Sequence, residues 1–185
     1  MRLVRYKTPK RILPGMLDRS GALRDLSYVL IDILPENFSP VELDILYSIE
    51  PNTLPPVEGA PEFAMPITDL GQIFIGDAPV DGLEVIGPHA DIPEATGLLL
   101  AGIAHIIGAK GWSGARAIAV TDPAADWLAL GPILSTIDAV AADMPHAAAP
   151  GDLVFRGEEI VRDPEEVTFA VDGLGQQRHA CRSHP

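Results

Sequence analysis

The sequence predicts an α+β fold built mainly of strands, and three features carry that reading. Residues 98–107 are almost wholly apolar, with β-branched residues recurring in the second half, which suits a strand covered on both faces. A buried helix could share that composition, but Gly102 at its middle would cost about 1 kcal/mol against alanine. The 18 prolines and 17 glycines imply many short elements and turns, a pattern closer to sheets than to a helix bundle. The most complete helix start follows Ser39.

Taken in order, residues 1–6 read as an extended segment with Leu3 and Arg5 on one side and Val4 and Tyr6 on the other. Residues 14–18 and 20–26 then form two short strands around a turn at 18–21, which completes a small β-meander. The helix begins with Ser39 as its cap, Pro40 at the first helical position and Glu42 three residues after the cap. Val41, Ile45, Leu46 and Ile49 make its apolar stripe. Pro51, Pro55 and Pro56 end it and open an extended linker to Pro66, where the domain boundary is placed.

Beyond the linker, Ile73 to Gly76 and Leu83 to Pro88 read as short strands, followed by the central strand at 98–107. Residues 112–120 are expected to form a short helix capped by Ser113, residues 130–136 a strand, and the Ala- and Pro-rich 141–150 a loop. Residues 152–155 and 167–171 are expected strands, the second ending at Asp172-Gly173, a strong hairpin turn signal. The polar, basic stretch 176–185 looks like a poor partner for that hairpin.

Composition narrows the function classes. Thirteen Lys and Arg stand against 26 Asp and Glu, a formal net charge of −13, and such a surface repels phosphate backbones and anionic lipid. Neither nucleic acid nor a membrane is therefore an expected partner. Basic residues cluster from Arg2 to Arg24 and from Arg178 to Arg182; a solvated rim is the reading, and a local anion contact at the N-terminal cluster its alternative. The single cysteine, Cys181, permits no internal disulfide. With no apolar segment of membrane-crossing length, the expected location is cytoplasmic.

The residues Leu3-Val4-Arg5-Tyr6, Pro14-Gly15-Met16-Leu17-Asp18, Arg24-Asp25-Leu26-Ser27, Leu54-Pro55 and Ile73-Phe74-Ile75-Gly76 occur in an order that resembles the fumarylacetoacetate hydrolase family. Ile86-Gly87-Pro88, Gly102 to Gly108, Gly131 to Thr136 with Asp138, and Val171-Asp172-Gly173 with Gln177 continue the resemblance. It implies a small N-terminal α/β-meander domain over 1–66, linker included, and a shortened mixed β-roll over 67–185, in a chain of a kind that commonly dimerises. It also implies magnesium- or manganese-assisted cleavage, decarboxylation, hydration or isomerisation of 2-oxo and 1,3-dicarbonyl acids. Oxygen ligands suit those cations, and alternate strand residues aim two carboxylates at one face.

In this sequence the resemblance puts Leu100 and Gly102 where the family's Glu-x-Glu metal pair stands, and Asp122 at its third ligand position. The implied pocket is Leu100, Gly102, Gly131, Pro132 and Thr136. His105 falls on the opposite side of the strand from Leu100, Gly102 and Ala104, and imidazole is a poor ligand for a hard cation. The family's lid histidine and substrate-facing lysine have no counterpart, because Asp77 to Val80 replaces the first and no lysine follows Lys110. His89 and Asp91 are a speculative dyad at the pocket mouth, and Glu84 or Glu94 the remaining candidates to join Asp122. Glu158-Glu159 and the acidic run 163–166 read as solvated charge.

The expectation is a catalytically degenerate relative without a cofactor, acting as a structural or regulatory partner that forms a homo-oligomer or pairs with an intact paralogue. A metal-dependent hydrolase, decarboxylase or isomerase of small oxo acids is one alternative. A binding module for a small organic acid is the other. The abrupt change to the basic tail 177–185 fits either native design or a shifted reading frame.

Overall fold

The computed structural model describes residues 1–92, 97–109, 113–122, 124, 126–139, 143–161 and 165–180. Glu94, Lys110, Cys181 and part of the basic tail lie outside these residues.

Strands dominate, as the glycine and proline content implies. A meander of β1 (Arg2–Lys7), β2 (Ile12–Leu17) and β3 (Leu23–Asp25) precedes α1 (Pro40–Ser48). Three short strands follow, β4 (Ile73–Ile75), β5 (Ala78–Val80) and β6 (Glu84–Ile86). Then come the long β7 (Leu98–Ile107) and β8 (Gly114–Thr121), with β9 (Trp127–Leu130), β10 (Leu134–Ile137) and β11 (Leu153–Val161). A hairpin of β12 (Glu166–Val171) and β13 (Gly175–Ala180) completes the described elements.

Eleven strands make one mixed sheet in the order β3-β2-β1-β10-β8-β7-β11-β4-β5, with β9 on β8 and β6 on β9. Most pairs are antiparallel; β11 with β4 and β6 with β9 are parallel. The meander joins the later strands through β1, where Arg2 and Leu3 pair with Ser135 and Leu134. Arg5 of β1 is buried and makes a two-pronged contact with Asp32, Nε to Oδ1 at 2.6 Å and Nη2 to Oδ2 at 2.9 Å. Its Nη1 donates to the Met65 carbonyl at 3.0 Å. One planar guanidinium thus secures two loops to the first strand.

The apolar run at 98–107 becomes β7, with β8 on one side and β11 on the other. Its alternate residues enter different cores. Ala104 and Ile106 pack with Leu3, Leu134, Leu153, Phe155 and the α1 residues Leu43 and Leu46. Leu99 and Ala101 pack with Val120, Trp127 and Val167, which lies on the β12–β13 hairpin.

Four sequence expectations are corrected. The buried side of α1 carries Leu43 and Leu46, whereas Val41 and Ile45 are 62% and 48% exposed. Leu46 of the expected stripe is buried and Ile49 packs against the main core, but Leu43 and not Val41 or Ile45 completes the buried side. Ser39 does cap it, accepting from the Glu42 N–H at 3.4 Å.

Residues 114–121 are a strand and not a helix. Ala115, Ala117 and Ala119 repeat every second residue on one face, and pairing with β7 and β10 outweighs alanine's helical preference. Ser113 donates to the Asp138 carbonyl at 2.9 Å in place of capping a helix; the expected helix start at Trp112 lies outside the described residues. The strand expected at 130–136 is two strands, β9 and β10, separated by residues 131–133. Finally, the polar stretch after Asp172-Gly173 does supply a partner strand, since β13 pairs with β12 from Val171 and Gly175 to Glu166 and Ala180. Its inward residues are Gln177 and His179, both fully buried, so a search for apolar alternation passes over it.

Candidate functional site

β7 and β8 bring the positions of the implied metal site to one end of the sheet. Leu100 pairs with Thr121, Gly102 with Ala119, and Asp122 directly follows Thr121. Thr121 is held by its hydroxyl, which donates to the Trp127 carbonyl at 2.6 Å. Asp122 is 1% exposed, and its Oδ1 accepts from the Ala124 N–H at 2.8 Å, closing a turn characteristic of aspartate.

The chemistry at the other two positions is apolar. Leu100 is half-buried against the main core. Gly102 pairs with Gly157 of β11, and a Cβ built on it would lie 2.5 Å from the Gly157 Cα and closer still to the Arg156 carbonyl oxygen. Glycine here permits close approach of two backbones. Gly131 is likewise tight, its N–H donating to the Ile118 carbonyl at 2.8 Å, and Pro132 beside it is buried. Among the described residues, no three His, Cys, Asp or Glu side chains converge as a metal cage would require.

His89 adopts a left-handed backbone (φ 60°) and directs its Nδ1 to the Arg178 carbonyl at 3.3 Å. Asp91 is exposed, as is Glu84 on β6. Thr136 is at a different end, where its hydroxyl shares a 2.9 Å hydrogen bond with Tyr47.

Tyr47 lines a cleft of about 600 Å³ between the end of α1 and the β1–β2 hairpin, with Arg2, Met16, Arg19, Leu46 and Glu50. That volume suits a small organic ligand. Asp18 forms part of its wall and is satisfied internally, accepting from the Ser20 N–H and hydroxyl, the Ala22 N–H and the Arg24 guanidinium. The Ser20 hydroxyl is the chief cause that lowers its pKa from an ordinary 3.8 to about 2, with Arg24 and the two backbone donors adding to it against the effect of burial.

A depressed carboxylate pKa makes the unfolded chain bind the proton first, so the stability from Asp18 is complete above about pH 4 and lost as pH falls toward 2. Urea unfolding between pH 5 and about 2 should therefore show a decline in stability that Asp18→Asn flattens. Equal slopes in the two proteins would refute it.

No family model matches the chain. A Burkholderia cenocepacia protein named "Putative hydrolase" is 41% identical over 76 residues, which is 41% of this chain and 27% of the relative. A Burkholderia multivorans protein of similar name is 38% identical over the same length, again 27% of its own chain. The match thus takes in about a quarter of these relatives. Among solved structures, an apo 2-keto-3-deoxy-D-arabinonate dehydratase superposes with a TM-score of 0.62 at 10% identity, covering 100% of both chains. A second crystal form of a 2-keto-3-deoxyarabinonate dehydratase gives the same values.

The fold is of the fumarylacetoacetate hydrolase type. It is α+β and mainly β, on a mixed sheet. In a fumarylacetoacetate-hydrolase-type fold, the divalent cation that the sequence resemblance implies would need carboxylates at positions 100 and 102, and the residues present do not fit it. Leu100 offers no oxygen, and the β11 backbone occupies the space a side chain at 102 would need. No helix among the described residues is long and apolar enough to cross a membrane.

Two features were not singled out from the sequence. The cleft depends on how α1 meets the meander, a tertiary property. The row of Arg2, Ser135, Arg116 and His105 across β1, β10, β8 and β7 needs the strand order.

Proposed function

We propose that this chain is a non-catalytic protein on a fumarylacetoacetate-hydrolase-type fold, serving as a structural or regulatory partner that associates with itself or with an intact paralogue. The observation that carries the reading is the pair Leu100 and Gly102. One packs on the main core and the other has no room for any side chain, so the implied cation lacks two of its three carboxylates. A single aspartate is a weak site for magnesium or manganese.

Association is supported by exposed apolar side chains. Ile31 is 97% and Tyr28 82% exposed, and the solvent side of α1 carries Val41 and Ile45. Exposed apolar side chains that share one patch mark contact sites. Sedimentation velocity should show a dimer or larger assembly, and the double change Val41→Asp with Ile45→Asp should shift it toward monomer. A wild-type chain that remains monomeric across micromolar concentrations rejects the self-association. Calorimetry with magnesium and manganese should register no saturable heat, and oxaloacetate and acylpyruvates should not be turned over. Chelator-sensitive turnover would instead support the metal-dependent hydrolase, decarboxylase or isomerase alternative, whose hydrolase form agrees with the relatives' name "Putative hydrolase".

A second reading, binding of a small organic acid without chemistry, is favoured by the cleft. Arg2 and Arg19 on its wall form no ion pair among the described residues, and Met16 and Leu46 offer apolar surface to a ligand's carbon body. Ligand-dependent thermal stabilisation by a panel of oxo acids checks it.

A further inference from the structure

Four adjacent strands place one continuous row of polar side chains across the sheet. Arg2 of β1 pairs with Ser135 of β10, Ser135 with Arg116 of β8, and Arg116 with His105 of β7. Residues directly opposite in a ladder share a face, and at strand spacings of about 4.8 Å the row runs about 14 Å. Arg156 of β11 is on the same face, two residues beyond Val154, the partner of His105. This is the opposite face of β7 from Leu100 and Gly102.

In a chain with net charge −13, three basic side chains on neighbouring strands are an unusual concentration. Protonated His105 stands directly opposite the Arg116 guanidinium, and like charges so placed in a sheet repel, an arrangement that a bound anion would stabilise. Arg116 is exposed and forms no ion pair among the described residues. Arg156 is only partly satisfied. Its Nη2 donates to Asp77 Oδ1 at 2.8 Å and to the Asp143 carbonyl at 2.6 Å, while its Nε is buried with no partner among the described residues. The Nδ1 of His105 is buried and likewise without a partner among the described residues. A buried polar atom left without a partner is costly, and here two occur in one cluster.

We propose that Arg116, His105 and Arg156, with the Ser135 hydroxyl beside them, form a binding site for a small oxyanion, a phosphate or carboxylate group. The guanidinium of Arg116 is the accessible anchor, offering the planar two-donor edge that such groups accept. His105 is the responsive member. Burial lowers its pKa, with Arg116 and Arg156 adding to the effect and Asp143 opposing it. Asp77 acts at one remove by pairing with Arg156. An anion between the guanidiniums supplies the missing negative charge, so binding raises the His105 pKa and strengthens as pH falls.

The test is a titration of the full chain with inorganic phosphate and, separately, with succinate, followed by the His105 ring proton signals in NMR and by calorimetry. Saturable binding of either anion is expected, with the His105 titration displaced to higher pH, and the tighter of the two identifies the headgroup. Arg116→Gln, a change on the surface, should weaken binding about tenfold or more, whereas Lys10→Gln, an exposed charge elsewhere, should leave it unchanged. Absence of saturation by both anions at tens of millimolar, or equal weakening by the two variants, overturns the assignment. Neither result depends on the oligomeric state or on the cation chemistry at Leu100 and Gly102.

Discussion

Gly102→Glu should not fold. Inserting any Cβ at 102 forces it onto the Arg156 carbonyl and the Gly157 Cα, and these are backbone atoms of the adjacent strand that cannot rotate aside. Overpacking of a well-packed core costs about 1–3 kcal/mol and sometimes more; against fixed backbone, Gly102→Ala belongs at about 3 kcal/mol or above. A glutamate adds the penalty of a charge without a partner, about 3–5 kcal/mol. Together these approach the whole stability of an ordinary domain, about 5–15 kcal/mol. Urea unfolding of Gly102→Ala and soluble expression of Gly102→Glu are the measurements, with Leu100→Glu as the comparison. Restoring the family's carboxylate pair by mutation would then yield insoluble protein and no metal site. A folded, metal-binding double variant would overturn both the packing argument and the proposed loss of catalysis.

Phe155→Ala should cost about 3–5 kcal/mol, the usual range for deleting a fully buried aromatic ring. Phe155 is completely buried in the main core, on β11 between Ala104 of β7 and Ile75 of β4. Its ring lies over Gly157, where a Cβ would come within 3.0 Å of the ring Cε1. That contact makes a sharper prediction than the single substitution. Gly157→Ala should be harmful in the wild type and distinctly less harmful when Phe155 is already alanine, so a double-mutant cycle should return a favourable coupling. Additive costs would show that the ring and the glycine are independent.

The sequence made the strand content, the central strand and the Ser39 cap legible because each rests on a local signal. An apolar run, glycine brackets and a capping residue can be recognised without knowing what lies across the sheet. The failures share the opposite property. Val41 and Leu43 are both apolar, and only the docking of α1 on the core decides which row is buried. The alanines of β8 suit a helix as well as a strand until β7 and β10 flank them. β13 went unrecognised because its buried residues are Gln177 and His179, whose polarity signals a surface. At the site, the alternation of β7 could be read from the sequence, but the contact between the backbones at Gly102 and Gly157 required the register of β11. The basic row was hidden for the same reason, since Arg2, Ser135, Arg116 and His105 are scattered along the chain.

The first strand finds its inner neighbour only when Leu134 and Ser135 have been made. During synthesis β1 can pair with β2 at once, but its other edge stays open until β10 has been made. Contacts this distant in the chain slow folding, and an open edge is a template for unwanted pairing. Emergence of β10 from the ribosome is thus the moment at which the sheet can close around its first strand, and premature termination just upstream of that point would release a chain with an adhesive border.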